Sequence, residues 1–488
     1  MTTLARDAGV ELLPDPGRVV ARLFLPGEST PGANSRTEVV LDRVLAAPPE
    51  ETARMAGEVI ETFGGRHRGL RELLLQNAAL VRRPDARDLD EELAVVVGAV
   101  FTSESAIEGA ALCNPSVVPH PDQSGLAAGA LRVVVSLRAI GESHLSSIEF
   151  CEAIIGPGRA WEFVPREAPL ELPRITDGRW TKEHFVRALE HHGRIDDVTR
   201  TVTQGLAPVF TTSAVDAAAN ALPAVLMQHP DARAQLAALR VIAWSAYRAT
   251  FDEATTLSRR VLMPVAEEER RGVEDARFVR FVPDDGMPPE YRATYTAYEG
   301  QAIASRLLVT RDFRTFDVHR LTGPPTQAKG MALFPRPVGG MQLALSRGDG
   351  ESISLTRSEN GLDWEPERHV YRPEQLWESV QSGNCGSPIE TPEGWLVLTH
   401  GVGPMRTYRI GAILLALEDP SRVVATLTAP LLQPDGALAA GYVPNVVYTC
   451  GAILHDGTVW IPHGIGDQRI RVASVPLAAL LDAMRAKL

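Results

Sequence analysis

The chain has little cysteine, and what it has is not closely paired: Cys113, Cys151, Cys385 and Cys450 are scattered over 488 residues. That spacing excludes a compact zinc site or a dense disulfide framework, and it suits reduced thiols in a cytosol. No apolar run reaches 18 residues, so no membrane-spanning helix is expected. The opening stretch "MTTLARDAGVELLPDPG" carries charges where a signal peptide needs its apolar core, which points to a cytoplasmic protein. A basic excess is missing as well. The formal net charge of −12 argues against sequence-independent nucleic-acid binding, which needs a basic face. A small anion is not excluded as a substrate, because nearby charges and hydrogen bonds outweigh a distant average. HExxH, Walker, GxSxG and GxGxxG patterns are all absent.

What is present is a core-forming chain, 44% hydrophobic and long enough for one large domain with extensions or for two to three ordinary ones. Residues 1–95 read as a mixed, largely helical extension: "RVVARLFLP" is strand-like, and "PPEETARMAGEVIETF" opens with prolines and acidic residues as a helix does. "GLRELLLQNAALVRR" has an apolar stripe at helical spacing. Residues 96–478 read as short strands and turns, beginning with "LAVVVGAVFTS", and interrupted by a helical insert over about 180–250. Residues 479–488 form a terminal helix in this reading. The last half carries a weak repeat: "ASRLLVTRDFRTFDVHRL" resembles "SISLTRSENGLDWEPERH", a strand, Thr-Arg, a turn and an aromatic. Strand-turn-strand units of this kind without intervening helices suggest propeller blades, with a sandwich as the alternative.

The candidate chemistry lies at strand ends. In "GVEDARFVRF", strand alternation sends Glu274 and Asp275 to opposite faces, so one is expected against Arg277 and the other in a pocket. Lys329, Arg347 and His400, with Arg406, Tyr408 and Arg409 following, make a set suited to an oxyanion such as phosphate if their loops converge. "SLRAIGESHLSSIEF" gathers Ser143, His144, Ser146 and Ser147 between Arg138 and Glu149, a hydroxyl-rich stretch that suits either sugar recognition or a polar loop. Asn445, Tyr448, His463 and Asp467 sit at later strand ends. Cys385, in "GNCGSPIE", is read as a small residue in a tight turn.

Taken together, "GVEDARFV", "YTAYEG", "KGMALFPR", "LSRGDGE", "GNCGSPIETPEGWLVLTHGVG", "GYVPNVVY" and "RIRVASVPL" resemble glycoside hydrolase family 130, in order and spacing, from about Asn114 to the C-terminus. The resemblance implies a five-bladed β-propeller and inverting β-mannoside phosphorolysis, with inorganic phosphate as co-substrate and neither metal nor organic cofactor. By motif it implies Asp275 as the catalytic acid and Lys329, Arg347, His400 and Tyr408 as phosphate ligands. Asn114, Arg138, Ser143, His144, Ser147 and Glu274 fall on the sugar side, as do Arg277, Tyr298, Asn384, Glu390, Asn445 and Asp467. "PHGIGD" departs from the family's more usual Tyr-Gly-Ala-(Ala/Ser)-Asp at His463. The N-terminal extension and helical insert resemble the longer members, which act on β-1,2-mannosides. The expected partners are therefore mannose oligosaccharides and phosphate, with a homo-oligomer left open and neither nucleic acid nor membrane expected. The rival readings are an inverting β-mannosidase using water and a non-catalytic glycan-binding propeller.

Overall fold

A computed structural model describes residues 4–26, 35–81, 89–158, 160–434 and 440–485. These residues group into two compact units, one of residues 15–109 with 167–171 and one of residues 1–14, 110–166 and 172–488.

The smaller unit pairs strand Val19–Leu23 antiparallel with Thr102–Ala106 and carries four helices, Arg36–Leu45, Pro49–Phe63, Leu70–Val81 and Glu91–Val100. The last of these corrects the strand reading of "LAVVVGAVFTS". A continuous apolar run fits a buried helix as well as a buried strand. Here Val95, Val96 and Val97 are all buried against neighbouring helices. Gly98 permits the approach, since a Cβ on it would lie 1.9 Å from the Leu74 carbonyl oxygen.

The larger unit is mainly β. Strands Ala111–Pro119, Leu131–Ile140 and Ser146–Gly156 form one antiparallel meander, and Gly272–Phe281, Glu290–Tyr298, Ile303–Thr310 and Thr315–Arg320 form a second. A single parallel pairing, Gly272 with Ser146, joins them into one sheet. A four-stranded sheet follows, from Ala332–Leu333 through Gln342–Ser346 and Ile353–Ser358 to Arg368–Tyr371. Next comes the order Gln381–Asn384, Gly394–Gly403, Thr407–Leu415, Val423–Thr426. In the last sheet the order is Arg6–Leu12, Arg469–Pro476, Thr458–Ile465, Val447–Tyr448, so an N-terminal strand closes a C-terminal sheet.

Four helices between Lys182 and Ala243 make up the insert and bury their own core of Phe185, Leu189, Val202, Val215 and Leu239. The chain's last described helix is Leu477–Arg485, whose Leu480, Leu481 and Met484 are buried. Among the described residues, no helix is long and apolar enough to cross a membrane.

Candidate active site

The Glu-Asp pair sits on a bulge. The register of Gly272–Phe281 with Glu290–Tyr298 slips between Glu274 and Arg277, and Asp275 has φ of 57°. A left-handed non-glycine residue costs on the order of 1 kcal/mol or more and persists only where its surroundings hold it. Asn114 supplies one such restraint from the facing bulge on Ala111–Pro119, where the register slips between Cys113 and Ser116. With φ of 49°, it donates its amide to Asp275 Oδ1 at 2.6 Å.

The bulge overturns strict alternation. Glu274 and Asp275 both face Arg138, which donates Nη2 to Glu274 Oε1 at 2.8 Å and places Nη1 3.4 Å from Asp275 Oδ1. Arg277 belongs with Asp275 rather than with Glu274. It donates to the Asp275 backbone carbonyl at 2.9 Å and lies 3.8 Å from Oδ2. Its other donors go to the Cys385 carbonyl at 2.8 Å and the Tyr448 hydroxyl at 3.1 Å. Burial pushes the Asp275 carboxyl up, but Arg138, Arg277, the Asn114 amide and Lys329 together outweigh it and hold it below the ordinary carboxylate value. Asp275 is thus a carboxylate in the free protein.

A cavity of about 210 Å³ opens onto this carboxylate. Of the residues expected from the sequence, Asn114, Asp275, Lys329, Arg347, His400, Tyr408 and Asp467 line it. Lys329 Nζ donates to Glu274 Oε2 at 2.7 Å and lies 5.7 Å from the Tyr298 ring centre. Arg347 Nη1 donates to His400 Nε2 at 2.8 Å. His400 is therefore not a third cation: burial, with Arg347 and Arg277 adding to it, drives its pKa well below the ordinary value. It stacks beside Tyr408, ring centres 6.3 Å apart. Gly383 makes room for this pair, since a Cβ there would meet His400 Cε1 at 2.5 Å and Arg347 Cδ at 3.0 Å.

Asp467 is the second acid in the cavity. Burial raises its pKa to about 6, with Asp275 adding to the rise and Arg138 and Arg406 opposing it. Its Oδ1 is buried and has no hydrogen-bond partner among the described residues.

Gln381, Arg406, Tyr448, Val443 and Val446 also line the cavity. Arg406 and Tyr448 stand in stretches that the sequence singled out, but Gln381 carries no motif of its own and was missed. Asn384 is buried but does not line the cavity, donating to the Gly330 carbonyl at 2.7 Å, and Ser147 is buried on its strand. The Asn445 backbone carbonyl accepts from the Tyr408 amide at 2.9 Å. Ser143 and His144 form an exposed turn.

Glu390 is not brought to the cavity. It pairs across from Trp395, five strand positions from His400, and is held by Arg336 at 2.6 Å. At about 3.3 Å per residue that is roughly 16 Å away. His463 is buried and bonds within its own strand to the Ile461 carbonyl at 2.9 Å. Burial lifts the Cys385 thiol to about 12, consistent with a packing role. Among the described residues, no group of three or more His, Cys, Asp or Glu is placed to hold a metal ion.

A family model described as beta-1,4-mannooligosaccharide phosphorylase matches residues 209–486. A 1,2-beta-oligomannan phosphorylase from a Thermoanaerobacter species is 33% identical over 223 residues, 44% of this chain and 72% of that protein. A beta-1,2-mannobiose phosphorylase from Listeria innocua is 28% identical over 231 residues, 46% of this chain and 63% of that protein. The solved structure of a beta-1,2-mannobiose phosphorylase from Listeria innocua is 20% identical, covers 78% of this chain and 94% of that one, and has a TM-score of 0.46. The family match takes in more than half the chain, including the segments that carry Asp275, Lys329, Arg347, His400 and Asp467, and the chain is accordingly an enzyme of glycoside hydrolase family 130, a family of mannoside phosphorylases.

Proposed function

We propose that this enzyme cleaves β-1,2-mannobiose and short β-1,2-oligomannosides by inverting phosphorolysis. Asp275 is the general acid, and phosphate is the nucleophile, held by Lys329, Arg347 and Tyr408 with His400 fixing Arg347. Arg406 joins that set, because it lines the same cavity. The observation that carries the reading is the convergence of one restrained carboxylate with three basic side chains in a single cavity of about 210 Å³. Cations gathered beside a sugar-sized space are stabilised by an anion that joins them.

The reaction balances without a second protein base. A phosphate oxygen attacks the anomeric carbon from the face opposite the leaving sugar, the glycosidic bond breaks, and the proton of Asp275 passes to the departing oxygen through a sugar hydroxyl. The products are α-mannose 1-phosphate and the shortened mannoside. Asp275 must take up a proton before it can give one. Bound phosphate favours this, because its negative charge offsets the field of Lys329, Arg138 and Arg277 that depresses the pKa.

Preference for the 1,2 linkage is supported by the relatives named for it, which match over 223, 231 and 219 residues, against 188 and 161 for those named for 1,4-linked substrates. In this reading the fold is a five-bladed propeller whose blades are the two meanders and the three further sheets described above, closed by Arg6–Leu12. No metal or organic cofactor takes part. The deciding experiment is sugar release from β-1,2- and β-1,4-mannobiose with and without phosphate. Release of α-mannose 1-phosphate only when phosphate is present supports the reading. Equal mannose release in its absence would support water as nucleophile.

A further inference from the structure

Tyr442 stands one residue outside the cavity wall and is 42% exposed. Its neighbour Val443 lines the cavity and donates its amide to the Gly466 carbonyl at 2.8 Å, beside Asp467. The Tyr442 hydroxyl and His144 Nδ1 share a hydrogen bond of 2.7 Å, and the two rings lie 6.0 Å apart at 37°. His144 comes from the turn between the strand bearing Arg138, which touches Asp275, and its partner strand. Ser143 and His144 have φ of 60° and 58°. Two consecutive left-handed non-glycine residues cost on the order of 1–3 kcal/mol each.

A lone exposed tyrosine is ordinary on a protein surface and needs no explanation. This one differs because its hydroxyl is bonded to His144 in a strained turn and it keeps an exposed face while its chain neighbour Val443 lines the cavity. Such a face suits the C–H surface of a pyranose, and a ring held beforehand loses little freedom on binding. The cavity, at about 210 Å³, is smaller than sites for drug-sized ligands, which run from roughly 300 to 1,000 Å³. Filled by one sugar ring beside an anion, it leaves the second ring of a disaccharide to rest outside.

We propose that Tyr442, locked by His144, is the platform for the leaving sugar ring and thereby a determinant of acceptor choice. The proposal rests on the phosphorolysis reading for its chemistry, but not for the binding itself. In synthesis from α-mannose 1-phosphate and mannose by the full chain, Tyr442→Ala is expected to raise the mannose KM about tenfold, a ratio worth 1.4 kcal/mol. The KM for α-mannose 1-phosphate should stay within about twofold. Tyr442→Phe, which keeps the ring but loses the lock, and His144→Ala should show smaller rises.

Saturation-transfer NMR with β-1,2-mannobiose reads the platform independently of turnover. Both rings should receive saturation from the wild type, but only the non-reducing ring from Tyr442→Ala. An active enzyme whose acceptor KM is unmoved by Tyr442→Ala, or equal saturation of both rings in the variant, would overturn the platform. A wild type that binds both rings yet never forms α-mannose 1-phosphate would sink the phosphorolysis reading and leave the platform standing.

Discussion

Arg347 donates to His400 at 2.8 Å, and buried His400 accepts because it is held neutral. The histidine thus aims a cation rather than adding one. His400→Ala should raise the phosphate KM about tenfold or more, the size of one charge-assisted hydrogen bond at roughly 1.5–3 kcal/mol. His400→Gln, which can still accept, should recover part of the loss. Gly383→Ala should imitate His400→Ala, because its methyl would displace the same pair. The phosphate KM of the three variants checks this, and equal values for wild type and His400→Ala would reject it.

The same histidine sets a pH dependence of stability. Its folded pKa lies below the ordinary 6.5, so the unfolded chain takes up a proton first as pH falls. The stabilisation is fully present above about pH 6.5 and is lost progressively below it. Urea unfolding at pH 7.5 and pH 5.5 should show a larger loss for wild type than for His400→Ala. Parallel losses would mean that the group is not neutral in the fold.

Asp467 works in the opposite direction. Its folded pKa of about 6 exceeds the ordinary 3.8, so the native state holds the proton longer than the unfolded chain. That contribution is complete below pH 3.8, fades between 3.8 and about 6, and is absent above. Asp467→Asn, neutral throughout, should gain on wild type by on the order of 2–3 kcal/mol on going from low pH to pH 7.5 in the ligand-free protein. Denaturation midpoints at pH 4.5 and 7.5 measure it, and an unchanged difference between the two would count against a buried, protonated Asp467.

Asp275→Asn should lower kcat by about 10²–10⁴-fold, because an amide cannot supply the proton. The amide can still occupy the bulge beside Asn114 and Arg138, so circular dichroism and the thermal midpoint should show an intact fold. Retention of more than roughly a tenth of the rate, against that expected factor, would move the acid elsewhere.

Glu274 bridges Arg138 and Lys329 and is 6% exposed. Glu274→Gln leaves two cations without their shared anion, at a cost below the roughly 3–5 kcal/mol of a fully buried pair because Lys329 is 39% exposed and Arg138 keeps Asp275. A clear fall in the denaturant midpoint is expected. A wild-type midpoint would show that water compensates both cations.

Helices with capping and stripe signals were legible in the sequence: the Pro-Pro and acidic start of Pro49–Phe63 and the stripe of Leu70–Val81 are where the pattern put them. Glu91–Val100 was not, because four consecutive buried positions, Val95 to Gly98, erase the period that distinguishes helix from strand. At the site, Lys329, Arg347, His400 and Tyr408 were visible as basic and aromatic residues at strand ends, and they do share one cavity. The geometry of Asp275 was not visible. Alternation assumes an unbroken ladder, and a bulge changes which face a side chain reaches without changing its residue type. Glu390 shows the converse: a polar residue inside a motif can still pair with the end of a strand remote from the cavity, here at Trp395.

The pairing of Arg6–Leu12 with Arg469–Pro476 has a consequence for biosynthesis. At about 5–20 residues per second, the first strand waits on the order of half a minute or longer before its partner leaves the ribosome. Throughout that interval both edges are open to other chains. Asp7 and Glu11, which later meet Arg471 and Arg469 at 3.1 and 2.9 Å, put negative charge on the waiting edge and like charge against any second copy of it. The two carboxylates that fasten the finished sheet to Arg469 and Arg471 therefore guard the nascent strand from pairing with its neighbours on a polysome.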